Sequence, residues 1–144
     1  MRHRTSFLTV GLVTTAFACG ILDPTFSEPG LIIFYGDTAT IVAPDSVDRG
    51  TVFEVSVETF AGGCTRTIAR TERRVLGSVL ELRPVNETRR AQACTDDLLI
   101  LVHRVTLRFD QPGPVTIRVV AEQRPVNSSS RNGPAQLERV VIVR

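Results

Sequence analysis

TVFEVSVETF, residues 51–60, is the stretch on which the fold turns. Phe53, Val55 and Val57 alternate with Glu54, Ser56 and Glu58. A period of two places the apolar set on one face of a strand and the polar set on the other. In a helix, residues two apart sit about 200° from each other around the axis and make no apolar stripe. The stretch therefore reads as a half-buried strand.

The same period recurs on either side. RVTLRF (104–109) turns Val105, Leu107 and Phe109 inward, VTIRVVA (115–121) does so with Val115, Ile117 and Val119, and LERVVIV (137–143) closes the chain. Upstream, LIIFY (31–35) and TATIVA (38–43) are apolar runs parted by Gly36 and Asp37. In the middle, TRTIARTERRV (65–75) is polar enough for an edge strand and SVLELRPV (78–85) reads as another, while NETRRAQAC (86–94) suits a loop or a helical turn. Turn residues punctuate the chain about every ten positions. The expected fold is all-β, a sandwich of about seven antiparallel strands over residues 31–144.

Two segments sharpen this. IVAPDSVDRGTVFEVSVET (41–59) resembles the opening of bacterial immunoglobulin-like domains, with Ile41, Pro44, Val47, Gly50, Phe53, Val55 and Val57 in the corresponding places. FDQPGPVTIRVVAE (109–122) is similar to their later hairpin, in which Pro112 and Gly113 turn the chain. The resemblance implies an immunoglobulin-like β-sandwich. It differs in having no Trp and no Cys within a core strand.

The first 18 residues read as a signal peptide. MRHRTS carries Arg2 and Arg4, and Phe7 to Ala18 runs uncharged and largely apolar, a stretch too short to span a bilayer. Ala16, Phe17 and Ala18 fit an ordinary signal-peptidase site. Followed by Cys19, they also resemble a lipobox, the signal of bacterial lipoproteins. Lipidation at Cys19 is favoured because it consumes a thiol otherwise released into an oxidising compartment. The resemblance implies a membrane partner reached through Cys19, with residues 19–30 as a tether rich in Pro and Gly. Gly20 lacks the Asp of an inner-membrane retention signal, which points to the outer membrane. Cys64 and Cys94 then remain as a disulfide pair.

Charge narrows the partners. Removing Arg2 and Arg4 from 17 basic residues leaves 15, against 15 acidic ones. The mature chain is formally neutral, so no nucleic-acid partner is expected. Between the cysteines, Arg66, Arg70, Arg73, Arg74, Arg83, Arg89 and Arg90 outnumber Glu72, Glu81 and Glu87. Such a segment suits an edge strand guarded by charge, or a site for anionic glycan or lipid headgroups.

Catalytic chemistry finds few residues. His103 shares the face of Val105 and Leu107, which suits a buried, hydrogen-bonded histidine. Ser46 and Ser56 lack the glycines of a nucleophile elbow. Asp45 and Asp48 read as turn residues, and the adjacent Asp96 and Asp97 as loop residues. Two cysteines without a nearby histidine are too few for zinc, so no metal or cofactor is expected. The polar stretch NSSSRNGP includes Asn127, Ser128, Ser129, Ser130, Arg131 and Asn132, a candidate binding loop between the last two strands. The expectation is a non-catalytic envelope module that binds an envelope protein or a glycan, or serves structural assembly. The alternatives are an accessory subunit of an export or cell-wall machine and, last, a hydrolytic enzyme.

Overall fold

The computed structural model describes residues 25–32, 41–90, 93–123 and 133–144. Among them the regular structure is entirely β: β1 (Thr25–Pro29), β2 (Leu31–Ile32), β3 (Ile41–Val42), β4 (Ser46–Val47), β5 (Val52–Gly63), β6 (Thr65–Leu76), β7 (Val79–Arg89), β8 (Thr95–Arg108), β9 (Gly113–Gln123) and β10 (Gly133–Val143). Residues 1–18, read as a signal peptide, and Cys19 lie outside the described residues.

β5 behaves as its alternation dictates. It pairs antiparallel with β8 so that Val55 faces Val105 and Phe53 faces Leu107. Val55, Val57, Ile117, Val119, Leu82 and Val141 are fully buried together, and the Phe53 and Phe109 rings close one end of the core with centroids 5.6 Å apart. β9 and β10 form the last hairpin, Ile117 opposite Arg139 and Val115 opposite Val141.

The structure differs from the sequence reading in three places. The first is the count and direction of strands: among the described residues ten are present where about seven antiparallel ones were expected, and three ladders are parallel. The extra strands come from the N-terminal stretch, which changes partner every few residues. β1 lies on β7, β2 bridges β5 and β9, β3 lies on β5, and β4 on β10. The parallel β7–β9 ladder follows from the turn after β5. Gly62 pairs with Thr65 and Gly63 has φ of 60°, a left-handed conformation glycine adopts at little cost. The chain so returns at once as β6, then turns at Gly77 into β7, which reaches β9 running in the same direction.

The second correction concerns residues 19–30, expected to be a tether. Thr25–Pro29 form β1 and pair with Val85–Arg89. Pro29 is acceptable at the end of an edge strand, and the Glu28 carboxylate is fixed by hydroxyl hydrogen bonds from Thr65 and Thr88. The pairings close a circuit of β5, β2, β9, β7 and β6, with the other strands added to it. The third is NETR, read as a loop or helical turn, which is the end of β7. It is a central stretch, with β6 on one side and β1 on the other.

Candidate functional site

A disulfide and an ion pair cross-link the end where β5 turns into β6. Cys64 in that turn and Cys94 before β8 form a pair at disulfide distance, Cα atoms 5.2 Å apart across a sequence separation of 30. Beside it Arg66 grips Asp97 with two hydrogen bonds, 2.9 Å to Oδ1 and 2.8 Å to Oδ2, and donates to Thr95 Oγ1 at 2.7 Å. The bonds from Arg66, and after them one donated by Thr95 Oγ1 at 2.8 Å, hold the Asp97 carboxyl well below its ordinary value, at about 2. β6 and β8 share no ladder among the described residues. The arginine fork therefore fastens a seam between β6 and β8, where no such ladder joins them, and the disulfide staples the end of the β5–β8 ladder, next to the Gly63–Thr95 pair.

Deeper in the same seam lies a polar cluster inside the apolar core. His103 is 1% exposed, Asn86 1% and Thr59 0%. His103 Nε2 is 2.9 Å from Asn86 Oδ1 and Nδ1 is 3.0 Å from Thr71 Oγ1. An amide oxygen can only accept, so Nε2 carries the proton and donates to it, while the Thr71 hydroxyl donates to Nδ1. Asn86 Nδ2 donates to Thr59 Oγ1 at 3.3 Å, and that hydroxyl points on toward the Leu101 carbonyl at 3.5 Å. One residue from each of β5, β6, β7 and β8 takes part, and each nitrogen of the neutral imidazole has a partner. Burial pushes the His103 pKa down, in keeping with a neutral ring.

Two clefts flank the β1–β2 segment at this end. One, of about 320 Å³, lies over Phe60, Gly62 and Thr65 against Glu28. The other, of about 480 Å³, has Pro84, Val85, Val120 and Pro134 among its walls and Arg70 and Arg83 at its rim. It opens where β7 exchanges β9 for β1 as its neighbour, between Leu82 and Val85. Pro84, which has no amide hydrogen, occupies that switch and accepts from Gly30 N–H at 2.8 Å. Gly30 O in turn accepts from Glu122 N–H at 2.9 Å, so the crossing segment is stitched on both sides. The rim arginines are compensated, Arg70 by Glu72 at 2.6 Å and Arg83 by Glu81 at 2.9 Å. A third cleft, of about 400 Å³, lies at the opposite end between Val75, Leu80, Phe109 and Val115.

The residues singled out from sequence distribute as follows. Cys64 and Cys94 come together. Cys19 and the loop Asn127–Asn132 lie outside the described residues; the loop's flanks, Gln123 and Gly133, pair with each other, and Gly133 and Pro134 line the 480 Å³ cleft. Asp45 forms an ion pair with Arg139 at 2.8 Å and Asp48 lies 3.7 Å from Arg144. The arginines between the cysteines spread along β6 and β7, with Arg90 just past the end of β7, and Arg66, Arg70 and Arg83 are each paired with an acid. Sequence reasoning missed Thr59, Thr71 and Asn86. The available signal was parity: Leu80, Leu82, Pro84, Asn86 and Thr88 continue one face of a strand, and all five are buried. Compared with protein-family models, with curated proteins and with solved structures, the chain finds no match.

Proposed function

We propose that this chain is an exported bacterial envelope lipoprotein, anchored through Cys19, whose immunoglobulin-like module binds an envelope protein or glycan or serves in assembly without catalysis of its own. The observation that carries the reading is the pairing of Cys64 with Cys94. It leaves Cys19 as the single unpaired cysteine of the three, at the position where the lipobox resemblance places the acylated residue. A disulfide bridging two strand ends suits an oxidising compartment. The immunoglobulin-like reading draws support from the opening strand, divided between β5 through β3 and β10 through β4. The parallel β7–β9 ladder is its departure from that order.

Fractionation of the producing cells tests the anchor. The protein should sediment with the outer membrane and carry an acylated N-terminal cysteine by mass spectrometry, and Cys19→Ala should move it to the soluble fraction. Fully soluble protein with an unmodified N-terminus at Cys19 overturns the reading. Crosslinking in those cells then separates one stoichiometric protein partner, the accessory-subunit case, from capture on isolated glycan.

A further inference from the structure

We propose that the disulfide end of the domain is a membrane-apposed surface, on which Phe26, Leu98 and Ile100 enter the bilayer interface and Arg89 and Arg90 engage anionic phospholipid headgroups. The inference rests on the Cys19 anchor proposed above and adds which face of the domain that anchor holds against lipid.

Chain reach is the first argument. Thr25 opens β1 opposite Arg89, and Arg89 N–H donates to Cys64 O at 3.2 Å, so the chain enters the fold at the disulfide end. Only residues 20–24 lie between Cys19 and Thr25. At no more than about 3.6 Å per residue, the acylated cysteine stands within roughly 20 Å of that end. A domain of this size is wider than that, with a radius of gyration near 13–14 Å. The end through which the chain enters is the one within reach of the bilayer.

Surface chemistry is the second. Phe26 is 44% exposed, Leu98 67% and Ile100 51%. Leu98 and Ile100 lie opposite Gly62 and Phe60, beside the turn that carries Cys64. Exposed apolar side chains among arginines are the composition of an interfacial binder, the apolar groups entering the headgroup boundary and the cations meeting phosphates. Arg89 and Arg90 have no acidic partner among the described residues, and the Arg90 guanidinium lies 6.0 Å from the Phe26 ring centre. Nearby acids are engaged elsewhere, Asp97 by Arg66 and Glu28 by the threonine hydroxyls. Glu87 is half-buried on β7 between Ser27 and Thr67.

The absence of tryptophan from the chain provides the test. Leu98→Trp, and separately Val75→Trp at the opposite end, are introduced into the full-length protein, matured in its own cells and reconstituted into vesicles of phosphatidylethanolamine and phosphatidylglycerol with brominated acyl chains. Val75 is 70% exposed and serves as the distant control. The expected result is a blue-shifted, strongly quenched Trp at 98 and an unquenched one at 75. Arg89→Glu with Arg90→Glu should lower the docked-to-undocked ratio at 98 by more than about tenfold. Equal, unquenched emission from both positions in protein that still sediments with the vesicles overturns the docking surface, leaves the anchor standing, and gives this end to a protein partner. Protein that fails to sediment and carries an unmodified Cys19 overturns the anchor and this proposal with it.

Discussion

His103 Nε2 lies 2.9 Å from Asn86 Oδ1 and so ties β8 to β7, two strands that share no ladder among the described residues. Cutting this tie from the Asn86 side leaves the buried Nε2–H with only the longer contact to Thr59 Oγ1, at 3.2 Å. Asn86→Ala should therefore destabilise the fold by about 1–2 kcal/mol, the lower part of the range for a buried donor that loses its main acceptor. Replacing both partners, His103→Leu with Asn86→Leu, should cost less than the two single changes added together, because Nε2–H and Oδ1 are then removed together and neither is left facing an apolar side chain. Urea unfolding of the four proteins measures this cycle. A double variant as unstable as the sum of the singles would show that the pair is not coupled.

The pH dependence should have two limbs of the same sign and different origin. His103 has its pKa lowered by burial from the ordinary 6.5. As pH falls below 6.5 the unfolded chain gains a proton that the folded one does not yet accept, so stability declines until the lowered value is reached. Asp97, held at about 2 against an ordinary 3.8 mainly by the Arg66 hydrogen bond, contributes stability above 3.8 that is lost as pH falls toward 2. Unfolding free energies from pH 8 down to 3 should show both. His103→Leu should flatten the slope just below 6.5, and Asp97→Asn the slope below 3.8.

What could be read from the sequence depended on whether local pattern or distant contact decided the outcome. The alternation around Val55, Val105 and Ile117 specifies strands because one face must be dry, and those side chains are buried as the period requires. His103 was legible for the same reason, by parity with Val105 and Leu107. Partner choice by the short N-terminal segments was not. Two residues such as Leu31–Ile32 are too few to show a period, and their place between β5 and β9 is set by tertiary contacts. The polar end of β7 misled for a related reason: Asn86 and Thr88 look like loop residues until His103 and Glu28 supply their hydrogen bonds.

The Cys64–Cys94 pair closes a segment with a sequence separation of 30. On loop-entropy grounds it should contribute about 3–4 kcal/mol. Cys64→Ser with Cys94→Ser should lower the unfolding midpoint accordingly while far-UV spectra still report a β fold, since neither cysteine belongs to the buried core around Val55 and Ile117. Non-reducing peptide mapping of protein matured in its own cells should recover Cys64 and Cys94 in one fragment. Two free thiols there would remove the bridge from the account.

Gly30 offers the sharpest steric test. A Cβ built on it would sit 2.6 Å from Thr59 Cγ2 and 3.0 Å from Pro84 Cγ, and neither neighbour can retreat easily. Thr59 is part of the His103 cluster, and Pro84 is a rigid ring whose carbonyl is bonded to Gly30 itself. Gly30→Ala should therefore cost about 1–3 kcal/mol, as overpacking of a dense site does. Gly133→Ala is the matched control, for a Cβ there meets nothing within 4 Å and should leave stability nearly unchanged. Because Gly30 carries the chain from β7 across to β9, its variant should also loosen β1. Faster amide exchange at Ser27 and Glu28 in Gly30→Ala, with exchange at Val55 unchanged, is the expected signature. Equal stability of the two alanine variants would mean that the crossing is not tightly packed.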